Sequence, residues 1–248
     1  MSERIAVVTG AAGALGRATS SALVEAGFHV VGLDLDATVA EMDLPGFQGI
    51  ELDLTDDRAV TSAMEELADL GPLDHLVGVA GGALPEEPPT QHDPVLLAPE
   101  VFRRSVELNL TSQYVVLRAA LPWFRRGEHR DRSVTLISSW NATTAQGMPA
   151  YSSAKAGLIG LMHALVRPLG AEGIRVNVVA PGSIRTLRTE RIWGHVEGHF
   201  ERLADMAATG RLGTPEDVAR TCRALAVDLT HVCGQVLVVD GGQSTATR

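Results

Sequence analysis

Arg4-Ile-Ala-Val-Val-Thr9 is a short apolar run rich in β-branched side chains, and Gly10-Ala-Ala-Gly13-Ala-Leu15-Gly16 follows it directly. A helical pattern then runs from Ala18 to Ala26 and stops at Gly27. Strand, tight glycine turn and helix in this order constrain the fold more than any other segment, because they form the opening of a β-α-β unit. Glycines in such a turn let the backbone approach a pyrophosphate. The open N–H groups and positive dipole end of the helix then receive its charge. Gly10, Gly13, Leu15 and Gly16 are therefore candidate nucleotide-binding residues.

A second strand-like run, Phe28-His-Val-Val-Gly-Leu33, leads into Asp34, 18 residues after Gly16. At that distance an acid meets the adenosine ribose of a dinucleotide, and its carboxylate accepts from the diol. The same charge repels a 2′-phosphate, and no Arg or Lys lies in residues 35–39 to offset it. NAD is therefore expected over NADP. Residues 50–54, Ile-Glu-Leu-Asp53-Leu54, read as a third strand whose acidic end could hold the adenine. Further strand-like runs at 73–80, 133–138, 174–180 and 235–239 alternate with helical stretches starting at Asp56, Pro99, Pro149 and Thr214. This alternation predicts an α/β fold, a doubly wound parallel sheet with helices on both faces. Gly10, Asp34, Gly81, Ser139 and Pro181 fall at the carboxyl ends of the strands, where such sheets bind ligands.

The 248 residues, 45% hydrophobic, suit one domain spanning 1–248. No apolar run approaches the ~20 residues that cross a bilayer, and Met1-Ser-Glu-Arg4 leads straight into the first strand, so a cytoplasmic protein without membrane association is expected. Cys222 and Cys233 sit in apolar contexts and read as buried thiols. A net charge of −9 argues against nucleic-acid binding. The basic, aromatic-led segment 123–132 accordingly reads as a helix end and solvated loop, and the Pro- and acid-rich segment 84–94 as a surface loop. His195 and His199 have the spacing of a metal pair, but no third ligand is evident, so no metal site is expected.

Tyr151 and Lys155 lie four apart in Tyr-Ser-Ser-Ala-Lys, which on a helix stacks a phenol and an ammonium on one face. An adjacent cation favours phenolate and brings the tyrosine toward the range useful for general acid/base chemistry. Together, Thr9-Gly10…Gly16, Asp53, Ala80-Gly81, Asn109, Ser139, Tyr151-x-x-x-Lys155 and Pro181-Gly182…Thr186 resemble the short-chain dehydrogenase/reductase family along nearly the whole chain. The resemblance implies a seven-stranded sheet, a nicotinamide cofactor, and hydride transfer between it and a secondary alcohol or ketone. It implies Tyr151 as acid/base, Lys155 on the nicotinamide ribose and lowering the tyrosine pKa, Ser139 polarising the substrate oxygen, and Asn109 anchoring a water in the proton relay. It also implies that Thr186, with backbone groups of Ile184, contacts the nicotinamide carboxamide. A homotetramer is expected, with a dimer as the alternative.

Within Ser138-Ser139, the family pattern selects Ser139, although Ser138 has the family's commoner spacing to the tyrosine. Only one of two adjacent strand residues can face the cleft. Ala14 replaces a usual glycine, a change tolerated where φ is negative. Gly78-Val79 lacks an asparagine usual before Ala80-Gly81, with loss of a bond between central strands. The segment after Tyr151 is about four residues short, and Pro168 interrupts its helical stretch. Residues 187–209, with Trp193, His195, Phe200 and Met206, read as a mobile substrate lid. The expected function is thus an NAD(H)-dependent oxidoreductase, with an NADP-preferring reductase or a non-catalytic cofactor-sensing protein as alternatives.

Overall fold

The computed structural model describes residues 4–87, 93–127, 131–144 and 148–245. Seven parallel strands, β1 (Arg4–Thr9), β2 (Phe28–Asp34), β3 (Phe47–Glu51), β4 (Leu73–Gly78), β5 (Arg132–Ile137), β6 (Ile174–Pro181) and β7 (Val236–Val239), stand in the order β3-β2-β1-β4-β5-β6-β7. The order reverses between β1 and β4, which opens a crevice at their carboxyl ends. The helices are α1 (Ala14–Glu25), α2 (Asp57–Leu67), α3 (Pro99–Val106), α4 (Ser112–Phe124), α5 (Pro149–Ala171), α6 (Leu187–Trp193), α7 (His199–Asp205) and α8 (Pro215–Val227).

Both faces of the sheet are covered, as strands with few polar residues demand. Leu23 of α1 and Val218, Cys222 and Leu225 of α8 pack on one face against Ala6, Val8 and Val30. Met64 of α2, Trp123 and Phe124 of α4, and Leu158 and Met162 of α5 pack on the other against Val7, Leu76 and Val176. Among the described residues no helix is long and apolar enough to cross a membrane.

Four details depart from the sequence reading. The third strand runs earlier, Phe47–Glu51, so Asp53 and Leu54 lie beyond it. Gly49 allows this register, since a side chain there would collide with the Val39 carbonyl. Pro168 does not interrupt α5, which continues to Ala171. The proline sits in the last turn, and buried Leu169 anchors the residues beyond it. Arg132 is not solvated: it opens β5, is 5% exposed, and donates to the carbonyls of Phe124 and Glu172. Trp123 and Phe124 belong to the core, and residues 128–130 of that segment lie outside the described residues. Cys222 is buried, its thiol pushed up to about 12 by burial, whereas Cys233 is only half-buried; both are free.

Candidate active site

The glycine turn is built by close contact. Gly10 has φ 65°, a left-handed conformation, and a Cβ there would lie 2.8 Å from the Ala80 backbone. A Cβ on Gly16 would overlap the Gly10 carbonyl, so α1 seats directly on the turn. Ala14 is the first residue of α1, and no described residue other than glycine has a positive φ, so its methyl group is accommodated. Gly13 caps α1 without any side-chain cap, which leaves the N–H groups of the first turn open toward the crevice. Beside them, the Asp34 carboxylate accepts from the N–H groups of Ala12 (2.9 Å) and Asp36 (3.0 Å). Asp53 accepts from the N–H and hydroxyl of Thr55, which hold its carboxyl below the usual carboxylate range. The Leu52 N–H donates to the Asp34 carbonyl, which ties the two acidic strand ends together. Leu54 is buried in the core.

On the other side of the switch point, Ser139, Tyr151, Lys155 and Asn109 converge. The two serines face opposite ways. Ser138 donates its hydroxyl to the Lys155 carbonyl at 2.7 Å, inside the structure. The Ser139 hydroxyl accepts from the Asn141 N–H at 3.2 Å and hydrogen-bonds to the Tyr151 phenol. Lys155 is 2% exposed, and its ammonium donates to the Ile137 carbonyl at 2.8 Å and lies 5.8 Å from the centre of the Tyr151 ring. Burial lowers its pKa from 10.5 to about 8.

The tyrosine departs from expectation. Burial pushes its phenol above the usual value and outweighs the lowering by Ser139 and by the Arg188 guanidinium. In this state Tyr151 holds its proton, and the Lys155 ammonium is bonded to the Ile137 carbonyl.

Asn109 sits in a π-helical turn, Glu107–Thr111, between α3 and α4. Such turns insert one residue into a helix. The Asn109 amide donates to the carbonyls of Ser105 (2.9 Å) and Gly82 (3.1 Å) and accepts from the Gly82 N–H (2.8 Å). Gly81 fits between Asn109 and Lys155, where a Cβ would lie 2.5 Å from the Asn109 oxygen and 3.3 Å from the Lys155 nitrogen. The Ala80 N–H donates to the Thr9 hydroxyl.

At the end of β6, Pro181 and Gly182 lead to Thr186, whose hydroxyl and backbone form a reciprocal cap with Thr189 at the start of α6. Ile184 bridges to Gly213, and its carbonyl accepts from the Thr189 hydroxyl. Beyond, Trp193 stacks on His199 with ring centres 4.8 Å apart, so His199 is engaged with an indole.

Four residues at the site escaped the sequence reading. Glu87, in the supposed surface loop, is 1% exposed, and its carboxylate accepts from the N–H groups of Ala150 (2.6 Å) and Tyr151 (3.0 Å). It caps α5, whose first position is a proline and whose N-cap, Met148, offers no acceptor. Residues 88–92 of that loop lie outside the described residues. Gln113 fills the space above Gly78 and donates to the Ala80 carbonyl at 2.7 Å, supplying a bond where the missing asparagine left none. Arg17 donates to the Ala12 carbonyl and to the Thr38 hydroxyl, at the corner where the adenosine ribose is expected. Arg188 reaches from α6 to the Ala83 carbonyl at 2.8 Å.

Glu87→Ala is expected to destabilise the protein by about 2 kcal/mol, since it strands buried donors, and to lower turnover by releasing Tyr151. Glu87→Gln keeps an acceptor and should recover most of the loss. Urea unfolding with parallel rate measurements checks both; an unfolding midpoint unchanged in Glu87→Ala would refute the capping role.

The pieces fit a nicotinamide dinucleotide: an uncapped helix start beside a glycine turn that excludes side chains, an acid at the end of β2, and a phenol, hydroxyl and ammonium grouped across the switch point.

Comparison with known proteins agrees. A family model described as Enoyl-(Acyl carrier protein) reductase matches residues 10–244. The chain is 34% identical over 248 residues to cis-4-hydroxycyclohexanecarboxylate dehydrogenase of Sinomonas cyclohexanicum, covering 97% of this chain and 96% of that one. It is 32% identical over 247 residues to the 3-oxoacyl-[acyl-carrier-protein] reductase of Escherichia coli, covering 96% of each. A crystal structure of a short-chain dehydrogenase/reductase family oxidoreductase from Burkholderia thailandensis superposes with a TM-score of 0.87 at 32% identity, covering 100% of this chain and 95% of that one. With its parallel sheet, its crevice at the switch point and this breadth of match, the chain belongs to the short-chain dehydrogenase/reductase family of NAD(P)-dependent oxidoreductases.

Proposed function

We propose that this protein is an NAD(H)-dependent oxidoreductase that interconverts a secondary alcohol and a ketone, with Asn109, Ser139, Tyr151 and Lys155 as its catalytic set. The observation that carries this reading is the convergence of the Ser139 hydroxyl, the Tyr151 phenol and the Lys155 ammonium at the switch point. Bound nicotinamide supplies or accepts the hydride. Tyr151 gives its proton to the carbonyl oxygen as the ketone is reduced, and takes it back in the reverse direction. Ser139 donates to the same oxygen as charge develops on it. Asn109, fixed to both polar groups of Gly82, orients the proton path. Lys155 and Thr186 serve the nicotinamide end. Gly10, Gly13, Leu15 and Gly16 serve the pyrophosphate, and Asp34, Asp53 and Leu54 the adenosine. Ala80, Gly81, Pro181, Gly182 and Ile184 line the strand ends between. Residues 187–209 act as the substrate lid.

Asp34 supports NAD, because its carboxylate already accepts from backbone donors at the ribose corner and opposes a 2′-phosphate. Arg17 favours the NADP alternative, since its guanidinium reaches Thr38 at that corner. Fluorescence titration decides between them: NADH is expected to bind at least about tenfold more tightly than NADPH, and Asp34→Ala to lose the preference. Tighter NADPH binding by the unmodified protein would give the corner to Arg17.

We also infer a cytoplasmic enzyme, supported by two free cysteines, and a homotetramer, with a dimer as the alternative. The edge strand β7 leaves Val238 47% exposed, and α4 leaves Tyr114 46% exposed, both surfaces that a second copy would cover. Sedimentation of the titrated sample checks the assembly, and a monomer would overturn it.

A further inference from the structure

We propose that Arg188 recognises a carboxylate on the substrate, so that the enzyme acts on a hydroxy acid or oxo acid rather than on a neutral alcohol. The inference rests on the reading of the cleft as the active site.

Arg188 stands in the first turn of α6, yet its guanidinium crosses to the loop after β4, where it donates to the Ala83 carbonyl at 2.8 Å. There it lies on Gly82. A Cβ at that glycine would approach an Arg188 nitrogen to 2.7 Å, and Gly82 takes φ 154°, a conformation that favours glycine. The same glycine is bonded through both of its backbone polar groups to Asn109, and its neighbour Gly81 abuts Lys155. The guanidinium is therefore one residue removed from the Asn109 and Lys155 side chains. It also acts electrostatically on the Tyr151 phenol.

The neighbouring arginines are placed elsewhere: Arg191, in the same helix, is exposed. Arg185 pairs with Glu190 at 2.9 Å and lies over the Phe200 ring, and Arg202 donates to the Glu197 carbonyl. Arg188 has no ion pair among the described residues, and its bond to Ala83 occupies one of five N–H donors. The remaining fork suits a planar anion bound through two oxygens. Lys155 is committed to the Ile137 carbonyl, and Glu87 is committed to the start of α5. A single guanidinium at Gly82 matches a monoanionic carboxylate better than a phosphate dianion. In a chain with net charge −9, it also marks a place beside the catalytic groups where an anion is welcome.

The test is equilibrium binding of cyclohexanecarboxylate and of cyclohexanecarboxamide to the full-length protein, with and without NADH, in the unmodified chain and in Arg188→Met and Arg188→Lys. The carboxylate is expected to bind more tightly than the amide. Arg188→Met should weaken it by about 10- to 100-fold without affecting the amide, and Arg188→Lys should restore part of the loss. Carboxylate binding no tighter than that of the amide, or equal losses for both probes, would overturn the proposal. Weaker NADH binding in Arg188→Met, with the probes unaffected, would assign the residue to the dinucleotide instead. Because binding is read without turnover, a chain that prefers the carboxylate but reduces no ketone would refute the catalytic reading while leaving the carboxylate site standing.

Discussion

Tyr151→Phe is expected to lower kcat by about 10³-fold, with NADH affinity unchanged within about twofold. Phenylalanine keeps the ring, so packing at the start of α5 is preserved, and only the hydroxyl bonded to Ser139 is lost. Without it the carbonyl oxygen must take its proton from water, and Ser139 alone cannot supply one and remain a fixed donor. The same variant isolates the titration of the residue. The chain has two tyrosines, and subtracting the phenolate absorbance of Tyr151→Phe from that of the unmodified protein leaves Tyr151 alone. Burial raises its pKa, so the difference curve should rise above pH 10 in the absence of dinucleotide. A variant within tenfold of full activity would place the acid elsewhere.

Lys155→Met is expected to be inactive and more stable at once. The ammonium is buried with one carbonyl as partner, and its pKa falls from 10.5 to about 8. That displacement corresponds to about 3 kcal/mol against the charged form, and loss of the bond to Ile137 gives back about 1 kcal/mol. The net gain of about 2 kcal/mol should raise the melting temperature by roughly 4–8 °C. The sign follows from proton counting. Between the two pKa values the unfolded chain holds the proton and the folded chain does not, so stability of the unmodified protein rises with pH across that window. The advantage of Lys155→Met is therefore full below about pH 8 and gone above 10.5. Thermal melts at pH 7 and pH 10 check this. A lower melting temperature at both would mean that the ammonium stabilises the fold.

Much of the architecture and the middle of the site were legible because they depend on short-range chemistry. Gly10 and Gly16 had to be glycine for steric reasons visible in their spacing, and Tyr151 and Lys155 needed only helical periodicity to meet. What was hidden depends on partners far along the chain. Glu87 looks like one more acid among prolines, and only the fold brings it to an α5 start that lacks its own cap. Gln113 is an ordinary polar residue until Gly78 is seen to leave a space beneath it. Arg188 acquires meaning from Ala83, 105 residues earlier. Pro168 misled because a proline rule that holds in a helix interior is weaker in a last turn held by a buried leucine. The orientation of Ser138 and Ser139 follows from strand alternation, but which of them turns inward required the Lys155 carbonyl.

The π-helical turn at Glu107–Thr111 also changes the phase of the rod that contains it. Upstream of the turn, α3 packs against α5; downstream, α4 packs against α2. A helix of uniform pitch presents one stripe, but one inserted residue rotates everything after it by about 100° and gives the two halves different faces. At the turn the Ser112 N–H donates to the Glu107 carbonyl, and the Ser105 carbonyl just before it accepts from the Asn109 side chain. Asn109 thus sits at the joint between α3 and α4, and a one-residue deletion within Glu107–Thr111 would put the two stripes back in register and turn one of them away from its neighbour.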